Sequence, residues 1–254
     1  MTQNIYDNDT FFARYGQLPR SLQGLPGAPE WPVLRGLLPR LDGRRVLDLG
    51  CGYGWFSRWA RVHGAAFVLG VDVSARMLAR AAAEKHDDAI LYVRGDLETF
   101  AIAPGAFDLV YSSLALHYVE ELAGLLRSVH AGLVSGGKLV FSVEHPILTA
   151  VANPSWFADA AGRDTWPVNG YLDEGARATD WLGAQVIKRH RTIETYFDLL
   201  VRSGFTVLRL IEWSPSPEQV TANPDWAKER ERPFFLLIAA TAVHALGSEG
   251  QKVD

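Results

Sequence analysis

Val46-Leu47-Asp48-Leu49-Gly50-Cys51-Gly52-Tyr53-Gly54-Trp55-Phe56 begins as a short apolar run and breaks into alternate glycines. The part from Arg45 to Leu49 reads as a buried strand, and a helix is expected to start near Trp55. Glycine reaches backbone angles barred to other residues, and with no side chain it lets a ligand touch the main chain. The following helix presents unpaired N–H groups to the same spot. Strand, turn and helix together make a cradle for a small molecule.

The spacing narrows the choice of molecule. A dinucleotide fold needs G-x-G-x-x-G directly after the strand. Counted from Gly50 the third position is Trp55, and counted from Gly52 it is Ser57. A phosphate loop needs G-x-x-x-x-G-K-[ST]. Gly132 to Lys138 satisfies seven positions, but Leu139 replaces the hydroxyl residue, and the segment runs from helix into strand. It reads as a turn. The pattern Asp48-x-Gly50-x-Gly52-x-Gly54 resembles motif I of the class I S-adenosylmethionine-dependent methyltransferases. A carboxylate at Asp48 would repel a pyrophosphate but suits a ligand carrying an ammonium and a sulfonium.

Three further strand ends extend the pattern. Ala66 to Val71 is continuously apolar, as suits a strand covered on both faces, and runs into Asp72 about 20 residues past the loop. An acidic residue there accepts ribose hydroxyls, and Asp72 could also cap the helix that follows. Ile90 to Val93 leads to Arg94-Gly95-Asp96-Leu97, where a carboxylate can accept from an exocyclic amino group. Phe107 to Tyr111 leads to Ser112-Ser113-Leu114-Ala115-Leu116-His117, which looks like the family's motif IV region. The D/N/S-P-P-Y/F sequence of methyltransferases acting on DNA bases or glutamine is absent from it.

The resemblance implies an α/β fold: a Rossmann-like, doubly wound, seven-stranded sheet, mostly parallel, with strand seven antiparallel and helices on both faces. It implies S-adenosylmethionine as methyl donor and S-adenosylhomocysteine as product. The cofactor residues it marks are Asp48, Gly50, Gly52, Asp72, Val73, Met77, Asp96, Leu97 and Ser112, with Tyr15 and Arg20 at the methionine end. Ser112 and Leu114 would line the floor between cofactor and acceptor. An O–H acceptor also needs a base, and His145 and His117 fall at the ends of strands five and four. Both, like His190, which opens the helix before strand six, could instead be hydrogen-bonded structural histidines.

The rest of the chain is read around this core. Its 254 residues suit one large α/β domain, taken as 1–247, with a frayed tail at 248–254. Residues 1–40 mix aromatics with five prolines, so no long helix is expected; they look like a lid over the cofactor. Residues 146–190 hold Trp156, Phe157, Trp166, Tyr171 and Trp181 between prolines and glycines and are expected to cap an acceptor site with short strands and helices. Ile193 to Val201 reads as a helix, Phe205 to Ile211 as strand six and Phe234 to Ala240 as strand seven, with a polar excursion between the strands.

Composition sets outer bounds. A formal charge of -4, from 25 Lys+Arg against 29 Asp+Glu, argues against a dedicated nucleic-acid surface. The single cysteine, Cys51, rules out an internal disulfide framework and fits a reducing cytoplasm; inside the glycine loop it reads as a tolerated small residue. The histidines lack metal-ligand spacing, so no metal is expected. No apolar run is long enough for a membrane helix, and Met1 to Thr10 shows no signal pattern. The expected protein is a cytoplasmic enzyme, monomer or homodimer, methylating a small-molecule acceptor at O or N. Two alternatives stay open: an NAD(P)-dependent oxidoreductase, and a non-catalytic S-adenosylmethionine-binding protein.

Overall fold

A computed structural model describes residues 3–84, 86–151 and 155–244. The tail expected at 248–254 lies outside these residues. Seven strands form one sheet: β1 (Arg45–Leu49), β2 (Phe67–Asp72), β3 (Ile90–Arg94), β4 (Phe107–Ser113), β5 (Leu133–Glu144), β10 (Phe205–Trp213) and β11 (Phe235–Ala242). Their order is β10-β11-β5-β4-β1-β2-β3. The neighbours from β3 to β5 pair parallel, while β11 runs antiparallel to both β5 and β10.

The chain leaves β1 towards β2 and β3, then returns to β4 and β5 on the other side. The order therefore reverses between β1 and β4, and open α/β sheets bind ligands beyond the carboxyl ends of such a pair. Strand periodicity divides the core. Leu47 and Leu49 face one layer, with α6 (Leu122–Gly132) and α8 (Ile193–Arg202) supplying Leu126, Val129 and Leu200. Val46, Val68 and Tyr111 face the other, under α3 (Trp31–Arg35) and α4 (Trp55–Val62). There Phe56 stacks on Tyr111 with ring centroids 3.5 Å apart.

Side-chain caps set several of the helix starts. Ser74 Oγ accepts the Met77 N–H at the start of α5 (Ala75–Ala83). Thr192 does the same for α8, and Ser216 forms a capping box with Gln219 at α9 (Pro217–Ala222). Each such cap contributes roughly 1 kcal/mol. The amino-terminal region splits into α1 (Asp9–Tyr15), α2 (Pro19–Leu22) and α3, as its prolines require.

Four stretches differ from expectation. Ser135-Gly136-Gly137 does not interrupt β5 as a free turn; it is absorbed as an irregularity, the register jumping from Phe107↔Leu133 to Leu109↔Lys138. Residues 146–190 hold α7 (Pro146–Thr149) and a small hairpin of β6 (Phe157–Ala158) and β7 (Asp164–Thr165). They also hold a regular hairpin of β8 (Gly175–Trp181) and β9 (Ala184–His190), longer than the short pieces expected. His190 therefore ends β9 rather than opening α8. The excursion after β10 contains α9 and a 3-10 stretch at Pro224–Arg230.

Candidate active site

Backbone geometry builds the cradle first. Gly50 and Gly52 sit at φ +73° and +52°, in the left-handed region. A Cβ on Gly50 would lie 2.4 Å from the Ala115 Cβ, so the turn after β1 and the turn after β4 touch there. The Gly50 and Cys51 N–H groups both donate to the Val71 carbonyl, at 2.8 and 3.0 Å. The Gly52 N–H donates to Asp72 Oδ2 at 2.8 Å, and the Ser74 N–H to Asp72 Oδ1 at 2.9 Å. Asp72 thus locks the loop to the start of α5. Burial raises its carboxyl pKa and these N–H bonds oppose the rise. A carboxylate has about four lone-pair sites, so acceptor capacity remains for a ligand.

A cavity of about 310 Å³ opens over this cradle. Gly50, Gly52, Asp72, Val73, Met77 and Leu97 line one end, and Tyr15 and Arg20 reach it from the amino-terminal segment. The other end is lined by Tyr6, His117, Tyr118, Glu144, Trp181 and Phe234. Ser113, Leu114 and Ala115 form the floor between them. Leu114 is held at φ +54°, an uncommon angle for such a residue, with its N–H donating to the Ser142 carbonyl.

Asp48 points to the opposite face of β1 from Leu47 and Leu49. It lines a neighbouring cavity of about 100 Å³ with Arg20, Glu30 and Tyr111. Ser57 Oγ donates to its Oδ2 at 2.7 Å, and burial pushes its carboxyl up to about 7. Arg20 donates to Glu30 Oε1 at 2.8 Å on the same wall. The two cavities share Tyr15, Arg20, Gly50, Gly52 and Ser113.

Three expected residues stand elsewhere. Ser112 is fully buried and donates to the Leu49 carbonyl at 2.8 Å; strand alternation puts Ser113, not Ser112, on the floor. Asp96 is half-buried and outside the cavity lining, its Oδ1 accepting the Glu98 N–H, while its neighbour Leu97 lines the cavity. His145 is not a base facing this cavity. Its Nδ1 accepts the Ile147 N–H as the cap of α7, and its Nε2 lies 3.0 Å from Glu212 Oε1. Burial lowers it to about 4, against the pull of Glu212. His190 likewise is spent, between Thr149 Oγ1 and the Tyr171 carbonyl.

His117 does face the cavity. It is 1% exposed, and burial lowers it to about 4, Glu144 opposing while Lys188 and Arg191 add to the fall. The sequence reading passes over Tyr6, Tyr118 and Glu144 as site residues. Glu144 ends β5, and the strand-tip rule that marked Asp72 would have found it. Cys51 is buried, and burial raises its thiol well above the ordinary range, in keeping with a small packing residue.

The fold and this loop-and-carboxylate cradle define a class I nucleoside-cofactor enzyme, and sequence comparison gives the family. The model of the methyltransferase domain family matches residues 47–141. The solved structure of an S-adenosylmethionine-dependent methyltransferase from Mesorhizobium loti is 54% identical, with a TM-score of 0.83 over 86% of this chain and 100% of that one. A Haemophilus influenzae protein without an ascribed activity is 33% identical over 94% of this chain and 97% of its own. A malonyl-[acyl-carrier protein] O-methyltransferase from Enterobacter lignolyticus is 39% identical over 109 residues, 42% of each chain. The chain belongs to the S-adenosylmethionine-dependent methyltransferases, of the class I, type 11 kind. The oxidoreductase and the non-catalytic alternatives fall away with that result. The cradle fits the cofactor: side-chain-free Gly52 opens onto free space, and carboxylates flank a site for a cation.

Proposed function

We propose that this enzyme methylates a small-molecule acceptor, at oxygen or nitrogen, inside the cavity between the glycine loop and the aromatic wall, and that it does so in the cytoplasm. The observation that carries this reading is enclosure. Residues 3–20 and the β8–β9 hairpin close over the acceptor end, and Trp181 packs edge-on against Phe11 and Tyr15. That cover favours a free small molecule over a nucleic acid or a folded protein.

S-adenosylmethionine supplies a methyl group on a sulfonium, which is a good leaving group. The residues then bind, orient and exclude water. Asp72 and Met77 hold the nucleoside end, with Val73 and Leu97 beside them. Tyr15 and Arg20 hold the methionine end next to Gly50 and Gly52, with the Asp48 carboxyl, hydrogen-bonded by Ser57, on the adjoining wall. The floor at Ser113 to Ala115 fixes the distance between acceptor and methyl carbon. Orientation of this kind can supply about 7–11 kcal/mol at its upper limit.

The test is transfer from methyl-labelled S-adenosylmethionine in the presence of a low-molecular-weight cell extract, total protein or total nucleic acid. Label is expected in the small-molecule fraction, with S-adenosylhomocysteine formed in equal amount. Label confined to protein or nucleic acid would overturn the reading.

A further inference from the structure

The acceptor end of the cavity carries two hydrogen-bond donors beside a carboxylate that is already paired with Lys188. The Glu144 N–H donates to His117 Nδ1 at 3.3 Å. A neutral imidazole has one N–H and one lone pair. With the Nδ1 lone pair used by that N–H, the proton resides on Nε2. Nε2 has no hydrogen-bond partner among the described residues, and His117 lines the cavity. The ring therefore presents an N–H, not a base. Next to it, the Tyr6 hydroxyl donates to the Tyr118 hydroxyl at 3.3 Å, which leaves the Tyr118 proton free to point elsewhere. Burial raises both phenols, so they stay protonated.

Charged groups flank this pair of donors. Lys188 Nζ lies 2.6 Å from Glu144 Oε1, a matched pair. Arg191, buried behind His117, gives Nη2 to the Val119 and Glu120 carbonyls, and its Nη1 has no partner among the described residues. Glu174 is a carboxylate that acts on Tyr196 together with Arg191. Glu144, the carboxylate on this wall, is a poor proton acceptor while it holds an ammonium, because protonation would forfeit the ion pair.

Resting on the small-molecule reading, we infer that the acceptor is a carboxylate, gripped by the His117 Nε2–H and the Tyr118 O–H, and that the product is a methyl ester. The electron count closes without a base. A lone pair on one carboxylate oxygen forms the new O–C bond to the methyl carbon. The C–S bond breaks and its pair returns to sulfur. A neutral ester and a neutral thioether result, and no proton moves. An alcohol would need its proton removed, and the carboxylate on this wall, Glu144, would forfeit its ion pair with Lys188 by taking it. An ammonium has no lone pair to offer the methyl carbon and would meet donors at His117 and Tyr118.

Alkali separates the outcomes. Methyl esters release labelled methanol on mild alkaline treatment, whereas N-methyl, C-methyl and ether products do not. Alkali-released methanol from the small-molecule fraction is the expected result. Alkali-stable label in that fraction overturns the carboxylate assignment and leaves the small-molecule reading standing. Label only in macromolecules overturns both. His117→Gln keeps an N–H donor and should retain most of the alkali-labile transfer, while His117→Leu should lose about 10- to 100-fold with S-adenosylhomocysteine affinity unchanged. Nitrogen-15 NMR of the histidine rings in the wild-type protein checks the donor independently of activity. At pH 7, His117 should be the neutral Nε2–H tautomer. An Nδ1–H tautomer or an imidazolium would remove the donor and the inference with it.

Discussion

At the residue scale the site turns on what two glycines and one buried acid can tolerate. Gly50 and Gly52 both need positive φ, but their surroundings differ. Alanine at Gly50 would collide with Ala115, whereas at Gly52 the added methyl would enter open space on the cavity wall. Gly50→Ala should therefore lose stability, by about 1–3 kcal/mol in urea titrations. Gly52→Ala should stay within about 1–2 kcal/mol of wild type yet bind S-adenosylhomocysteine at least roughly 10-fold more weakly by calorimetry. Wild-type affinity in Gly52→Ala would place the ligand elsewhere. Asp48 has a pH signature. Folded, it keeps its proton up to about pH 7, whereas the unfolded chain releases it near 4. Across that window the folded state binds more protons, so this group lowers stability as pH rises and has no further effect above it. Asp48→Asn can still accept from Ser57 and does not ionise. The Tm of the ligand-free variant should fall less than that of wild type between about pH 4 and 7, and parallel curves would refute the assignment.

At the element scale, legibility followed the period of the local signal. Strands β1 to β3 were readable because each is a compact apolar run closed by glycine or acid, and Asp72 could be placed at a strand tip from sequence alone. Ser112 was misplaced because a run buried on both faces does not show which neighbour faces the ligand. The β8–β9 hairpin was hidden by its turn. Leu182-Gly183 takes φ +52° and +77°, the angles for which Asn-Gly is the usual pair, and leucine there gives no warning. His145 looked catalytic because it ends β5; its role as a cap depends on α7, which Pro146 begins. The cap has its own anchor in Arg232. Its guanidinium carbon lies 4.0 Å from the Trp166 ring centre, 5.0 Å from Trp156 and 5.2 Å from Phe234, with Glu229 Oε2 at 2.9 Å from Nη2. Such contacts contribute about 0.5–2 kcal/mol each. Arg232→Ala should speed limited proteolysis around residues 155–166 and lower the Tm by only a few degrees, roughly 2–6 °C. Unchanged cleavage there would mean that the cap is held by something else.

At the scale of the whole molecule, the cavity is closed by segments far apart in sequence that meet over it rather than on the sheet. Gln3 donates from Nε2 to the Gln185 carbonyl and accepts the Ile187 N–H, at 3.0 and 2.9 Å. Arg14 donates to the Leu182 carbonyl at 3.0 Å. Phe11 and Tyr15 hold Trp181 between them, with ring centres 5.4 and 6.1 Å away. Beneath, Asp7 ties the same segment to α5 through Ser74 Oγ and the Arg76 N–H. These few polar contacts and one aromatic cluster are far less than the buried apolar faces of β4, β5 and β11. Regions with few buried contacts open at lower free energy than the core. A ligand reaching Leu114 must part the two segments, so binding and closure are linked. Hydrogen exchange should show residues 3–22 and 175–190 opening well before the central strands, and S-adenosylhomocysteine should slow exchange in both segments together. Trp181→Ala removes the shared ring, with edge contacts of about 0.5–1.5 kcal/mol each beyond its buried area. In that variant residues 3–22 should exchange faster, and the ligand should protect them less, while β4 and β5 keep wild-type rates. Protection that appears in one segment without the other would show that they open independently.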